Sequence, residues 1–406
     1  MIISVRPSVD PQSLSPMLGI AIRIAHRMGI HSEFALRECT PFEAEMRRRL
    51  WWSLAFFDTR MAELGNSRIV TLDPTWDCKV PLNVSDADLR PEMKSRPTPR
   101  KEPTDAIFAV VRSELGDHIR HTSFHLDFAN PALVPIAKYG FPSADHLAKL
   151  EQSIEDRYLR SCDQENPLHF MVIWTIRSQL SKYQLMVHNA RSSNSPVQTN
   201  EVDFDAATGS AIRFLECNTK MMTSPMIKGF VWLNQMYFPF PGYYQIAQDL
   251  KRRPSFEHAQ KAWDAASDNW DAWFNVHIGS DSPIFLLLPK IILQAWEAYE
   301  ASPQPPGQTL NTPRIVLSIK ETLARIAENE RRNKDVGLVN PSTDLGASGG
   351  PLSMSTPAAF ANHTLPFDHL WTESGMSSAT DPSAQFPLDT YMNQMDWTVF
   401  GGQSGW

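Results

Sequence analysis

Apolar positions in the first part of the chain recur at steps of three and four. Met17, Ile20, Ile24 and Met28 make one such row, which stops at Gly29; Met46, Leu50, Leu54, Phe57, Met61 and Leu64 make another. That period is the helical one, so each row predicts a helix that buries it. The starts are marked as well. Ser15-Pro16, Thr40-Pro41, Ser282-Pro283 and Thr312-Pro313 each place a hydroxyl before proline at a first helical position, and Glu43 completes a capping box on Thr40. The same spacing predicts further helices over about 105–128, 143–160, 167–188, 205–222, 225–238, 283–299 and 313–333. Proline marks loops at 96–103, 191–202 and 302–313, and no alternating run predicts a strand. The expected fold class is all-α, a multi-helix, bundle-like domain over residues 1–335.

From residue 336 the pattern stops and Ser, Gly, Pro and Thr take over, as in GASGG at 346–350. This segment, 336–406, is predicted to be a disordered tail. It carries six acids and no Lys or Arg, with aromatics among them that include Phe367, Trp371, Trp397 and Phe400. Acids keep such anchors solvated and available, which is how an activation segment folds onto a partner.

Removing the tail changes the charge picture. The whole chain is at −7, yet residues 1–335 hold 38 basic against 39 acidic side chains. Such a body offers no broad cationic surface to displace counterions from nucleic acid. Cys39, Cys78, Cys162 and Cys217 lie far apart, without the close pairs of a structural zinc site, and read as reduced thiols. The amino terminus lacks a signal-peptide apolar region, and the longest apolar run, 283–296, falls short of the roughly 20 residues of a membrane span. An intracellular location without membrane contact is expected.

One stretch sets three arginines against two tryptophans: TPFEAEMRRRLWWSLAFFD, Thr40 to Asp58. Glu43 precedes Arg47 by four and Glu45 precedes Arg49 by four, the favoured order for ion pairs on a helix. The arginines therefore have local acidic partners, and the stretch reads as a buried seam. A nucleic-acid patch would need unpaired charge.

Three runs carry a family resemblance: LGIAIRIAHRMGIHSE from Leu18, PFEAEMRRRLWWSLAFFDTRMAELGNSR from Pro41, and VPLNVSDADL from Val80. They resemble the fungal-specific transcription factor domain, the middle homology region of fungal zinc-cluster regulators. The positions carrying the likeness are Glu45, Arg47, Arg48, Arg49, Trp51, Trp52, Asp58, Gly65, Pro81 and Asp86. Looser likeness continues through 167–188, 230–254 and 259–270, so it covers most of residues 13–335. The resemblance implies a helical regulatory domain in a nuclear transcription regulator, of the kind that controls a biosynthetic gene cluster. It also implies a six-cysteine zinc cluster and a dimerising coiled coil, neither of which is in this sequence. Zinc is therefore expected only for that absent cluster, and the chain is expected to be N-terminally incomplete, touching DNA indirectly or in a longer form. The implied partners are a coactivator or the transcription machinery on the tail, and zinc-cluster relatives as homo- or heterodimer. A small effector is expected in an aromatic crevice involving Trp51, Trp52, Trp174 or Trp232. The alternative is an interaction protein that modulates a full-length relative without touching DNA.

Rival chemistry is weaker. His118, His121 and His125 could share a helical face, but one helix seldom surrounds a metal, and the row reads as packed histidine. Nucleophile-elbow, phosphate-loop, dinucleotide and zinc-protease signatures do not occur. The carboxylates Asp86 and Asp88, or Asp203 and Asp205, have no recognisable acid–base partner. No catalytic, metal or DNA-contacting residue is expected. Lys251-Arg252-Arg253 and 331–334 are candidate import signals, and both also sit near predicted helix carboxyl ends, where cations suit the dipole.

Overall fold

The computed structural model describes residues 11–65, 75–194, 201–234, 237–254, 256–274, 283–302 and 311–337. They form α1 (Pro11–Arg27), α2 (Glu33–Leu36), α3 (Pro41–Gly65), α4 (Ile107–Arg120), α5 (Ser123–Ala129), α6 (Ala144–Arg157) and α7 (Pro167–Asn194). There follow α8 (Glu201–Thr223), α9 (Val231–Asn234), α10 (Phe240–Arg252), α11 (Ala259–Phe274), α12 (Pro283–Ala301) and α13 (Arg314–Gly337). Among the described residues the sole β-type pairing is an isolated bridge between Thr122 and Tyr139. The protein is all-α. The described residues up to Glu321 form one unit, and those from Thr322, the end of α13, belong to a second. Phe367, Trp371, Trp397 and Phe400 lie outside the described residues.

In the first unit α7 and α8 pair antiparallel, Thr175 meeting Met221 at one end and Gln184 sharing Glu151 with Arg213 at the other. α10 and α11 pack on α8, α12 on α10, and α4 on α7. Trp270, Trp273, Trp296 and Tyr243 are fully buried there. Burying four such rings supplies much of the apolar driving force, and their polar atoms then need partners. Asn269 answers for several: its amide donates to Asn218 Oδ1 and Thr219 Oγ1, both at 3.0 Å, and its carbonyl accepts from the Tyr243 hydroxyl at 2.9 Å. Trp273 donates to the same Asn218 oxygen at 2.7 Å. One amide thus locks α8, α10 and α11 in a single register.

Four sequence expectations need correction. First, α1 starts at Pro11, so Pro16 lies inside it and not at its first position. Second, the expected apolar rows are buried only in part: Met61 is core, and Met17, Leu54 and Phe57 pack against the α1–α3 cluster, but others face outward. Leu14, Leu18, Ile22 and Ala25 are buried, whereas Ile20 and Ile24 are 62% and 53% exposed; on α3 Met46 and Leu50 are exposed, and Ala44, Glu45, Arg48, Trp51, Trp52, Ala55 and Asp58 turn inward. Both helices carry apolar residues on two sides, and period alone does not say which side the larger ring area claims. Third, 105–128 is two helices. Thr122 breaks the chain and caps α5, its hydroxyl accepting from His125 N at 3.2 Å. His121 therefore sits in the break and His125 on the second helix, which dismantles the supposed histidine face. Fourth, the 225–238 helix is a 3-10 turn (Pro225–Phe230) and short α9, while α10 starts just beyond and takes Pro241 and Gly242 into its first turn. There a Cβ on Gly242 would lie 3.0 Å from Leu215 Cδ2, so glycine is what lets α10 close on α8.

Replacing Asn269 with Ala removes one of the two donors to Asn218 Oδ1 and leaves the buried Tyr243 hydroxyl only a long contact to Ala266 O at 3.4 Å. The expected cost is about 2–3 kcal/mol, seen as a lower urea midpoint at unchanged slope.

Candidate functional site

The site grows from α3. Thr40 Oγ1 accepts from Glu43 N at 3.2 Å, so the capping hydroxyl opens the helix as expected. Consecutive residues on a helix point about 100° apart, so three successive arginines fan over about 200°. Arg47 reaches back to α1, donating to Met28 O at 3.2 Å while pairing with Glu43 at 2.6 Å. Arg48 makes a two-pronged bond with Glu33 on α2, Nε and Nη2 both at 2.7 Å. Arg49 pairs with Glu45 at 3.2 Å and with Asp86, in the loop after Pro81, at 2.7 Å. Each guanidinium ties α3 to a different element. The predicted pairs Glu43–Arg47 and Glu45–Arg49 are both present.

Glu45 is wholly buried. Its Oε1 accepts from the backbone N–H of Leu82 at 3.0 Å, beside buried Pro81, and so fastens the 77–86 segment to α3. Asp86 continues that segment: its N–H and the Ser85 hydroxyl both bind Asp105 Oδ2, at 3.1 and 2.7 Å. These bonds, the Ser85 hydroxyl foremost, hold the Asp105 carboxyl below its ordinary pKa. Glu33 is pulled two ways. Burial pushes its pKa up, but the bond from Arg48, the Lys79 N–H at 2.9 Å and the Arg48 charge outweigh it, and the net shift is downward. Arg48 is raised in turn, first by that bond.

Behind the charges lies an aromatic cluster. Trp76 meets Trp51 and Trp52 edge-on, ring centroids 5.3 and 5.2 Å apart, and the Trp52 indole donates to Lys79 O at 3.0 Å. Arg120, from the end of α4, lies 3.7 Å over the Trp76 ring and is held by Asp117 at 2.8 Å. Cys78 sits in this interior, where burial drives its thiol up to about 12, so it is an inert packing group. A Cβ on Gly116 would come 3.0 Å from Phe56 and 3.3 Å from Trp52, so glycine lets α4 close on α3.

Of the sequence-singled positions, Glu45, Arg47, Arg48, Arg49, Trp51, Trp52, Pro81 and Asp86 converge here. Asp58 is buried further along α3, and Gly65 is its last residue. Trp51 and Trp52 are too enclosed to line a crevice. Trp174 stands apart under Arg177 and Lys220, and the Trp232 side chain lies outside the described residues. The expected aromatic effector crevice is therefore not formed by the tryptophan pair. An open cleft of about 370 Å³ instead lies among α6, α7 and α8, lined by Leu147, Glu151, Gln184, His188, Gly209 and Arg213. His118 stacks on Tyr139 at 4.5 Å with His146 at 5.1 Å, and burial, reinforced by His146, lowers it to about 4. Sequence reasoning missed Glu33, Trp76, Arg120 and Asp105, which lie 12 to 75 positions from Glu45 in the motif they complete. Only Glu33 carried a signal, as the last residue of the run from Leu18.

A carboxylate with a lowered folded pKa contributes stability that is present above its unfolded pKa and lost as pH falls through the folded value. Glu33→Gln should thus cost roughly 2 kcal/mol near pH 7, and the gap to the parent chain should narrow as pH drops through the ordinary glutamate range, measured by urea titration across pH.

Residues 8–113 match the family described as the fungal specific transcription factor domain. The chain is 42% identical over 365 residues to the transcriptional regulator AacuB of Aspergillus aculeatus, covering 89% of this chain and 49% of that protein. It is 37% identical to the transcriptional regulator nsrM of Aspergillus novofumigatus, over 99% of this chain and 56% of the relative. The aurofusarin cluster transcription factor aurR2 of Gibberella zeae is 27% identical over 86% of this chain and 53% of its own length. The chain spans about half the length of these curated relatives. No solved structure matches it. No helix among the described residues is long and apolar enough to cross a membrane. The likeness to transcriptional regulators thus includes the match at residues 8–113 and extends beyond it over most of the chain.

Proposed function

We propose that this chain is the regulatory and activating part of a nuclear, zinc-cluster-type fungal transcription regulator that controls a biosynthetic gene cluster. The observation that carries the reading is the 42% identity to a transcriptional regulator across 89% of the chain. The names of two further relatives, cluster transcription factors for aurofusarin and for pyriculol, support the gene-cluster part. DNA contact belongs to a longer form, since the conspicuous arginines are spent inward on carboxylates. The helical body is the regulatory part, and the acidic, aromatic tail recruits a coactivator.

Import is assigned to Arg331, Arg332 and Lys334 in preference to the 251–253 cluster. Arg253 there is largely covered, held by Asp205 at 2.9 Å and lying over Phe204 and Phe256, whereas Arg332, paired with Glu328 at 3.1 Å, stays exposed. The cleft among α6, α7 and α8, lined by Leu147, His188 and Gly209 together with Glu151, Gln184 and Arg213, is the place assigned to a small effector.

The near-neutral body also favours a second reading, an interaction protein that modulates a full-length relative. A gel shift with the purified chain separates the two: specific retardation supports a self-sufficient factor, and none supports the modulator or the longer form.

Deleting 338–406 from a DNA-tethered fusion should abolish most reporter activation at unchanged protein level; unchanged activation would end the tail's assigned role. Arg331→Ala with Arg332→Ala should move a fluorescent fusion out of the nucleus, whereas Lys251→Ala with Arg252→Ala should not.

A further inference from the structure

Most of the described large hydrophobics that face solvent belong to one stretch of chain. Ile20, Ile24 and Met28 lie on and just after α1, Phe34 on α2, and Met46 and Leu50 on α3. α1 and α3 run antiparallel, Leu14 packing near Met61 at one end and Met28 O bonded to Arg47 at the other. At 100° per residue, Ile24 and Met28 each sit about 160° around α1 from His26. His26, itself exposed, lies on the flank of α1 where its ring meets Trp51 at 5.2 Å. Ile24 and Met28 therefore emerge on the opposite flank. Leu50 and Met46 leave α3 about 100° and 140° from Trp51, on that same flank. Leu54, one turn beyond Leu50, already packs on the α1 cluster, so the exposed row continues a covered one. An apolar face of this kind marks an interaction site.

Charge says what fits it. α1 holds no acid, and its exposed Arg23 and Arg27 edge the face. A second copy would bring these cations against each other. Residues 338–406, by contrast, carry only acids. Within them Met392, Met395 and Val399 recur at steps of three and four, with Asp396, Trp397 and Phe400 interleaved, the spacing that a helix laid in a groove uses.

We infer that the flank formed by Ile20, Ile24, Met28, Met46 and Leu50 is the docking surface for Met392–Trp406 of the same chain, with Asp396 against Arg23 and Arg27. The inference builds on the activation reading of the tail. Its readout below is a covalent cross-link and not transcription, so either idea can fail alone.

The test places the photocross-linker p-benzoylphenylalanine at Leu50 in the full chain, in an equal mixture of heavy-isotope-labelled and unlabelled protein. Products are mapped by mass spectrometry, with the same probe at exposed Lys261 as reference. The expected result is cross-linking of Leu50 to residues 392–406 within one isotope class. Arg23→Glu with Arg27→Glu should lower that yield about fivefold, the scale of an exposed ion pair, and Asp396→Lys in the same chain should restore it. Both arginines are exposed, so far-UV circular dichroism should stay unchanged. Mixed-isotope products would show a second copy on this face and overturn the inference. So would products confined to other segments, a yield no higher than at Lys261, or indifference to charge reversal.

Discussion

A guanidinium placed beside tryptophan rings in a dry interior has to find a carboxylate, and much of the α1–α4 architecture is set by how that demand is met. Arg48 and Glu33 are both nearly enclosed, and each uses its full geometry on the other, two nitrogens to two oxygens at 2.7 Å. Such a pair adds little net stability over an apolar pair of equal volume, because desolvation consumes most of the Coulomb gain. What it does fix is position. α2 is a single turn of four residues with no strength of its own, and it stays in place because Glu33 is held at once by Arg48 and by the Lys79 N–H. Glu45 does the same for the 77–86 segment through Leu82. Elements that propensity would leave unformed are thus set by buried charge.

That logic explains what could be read from the chain alone. Helix starts were legible because proline and hydroxyl caps act locally: Thr40 and Pro283 open α3 and α12 where the sequence says. The helical ion pairs Glu43–Arg47 and Glu45–Arg49 were legible for the same reason, both partners lying four positions apart on one element. The buried faces of α1 and α3 were not. Each helix has two apolar sides, and the decision rests on Trp76 and Arg120, which reach α3 from distant points in the chain. Likewise the close fit of Gly242 against Leu215 depends on a residue distant in the chain and leaves no local mark. Long-range completion of the motif, by Glu33, Trp76, Arg120 and Asp105, left almost no local trace.

The chain also divides its charge with a physical consequence. In the body, the three arginines that look like a nucleic-acid patch are each matched within α3 or by a neighbouring element, so little of their field leaves the protein. Nucleic-acid affinity depends on cations free to displace counterions, and matched guanidinium groups are not. The three arginines of α3 are therefore spent on joining neighbouring elements and not on an outward cationic field.

The fan of Arg47, Arg48 and Arg49 sharpens that conclusion. A basic run meant for phosphate would gain from all three heads lying along one groove, whereas neighbours 100° apart on a helix cannot share a face. They can, however, address three elements from one turn, and here they do: α1 through Met28 O, α2 through Glu33 and the Pro81–Asp86 loop through Asp86. Lysine would supply the charge but not the planar fork that Arg48 uses, so the identity of the residue, and not only its sign, follows from the geometry of the clamp. The same three positions that first suggest a surface for nucleic acid are, for reasons of helical pitch alone, better suited to closing an interior.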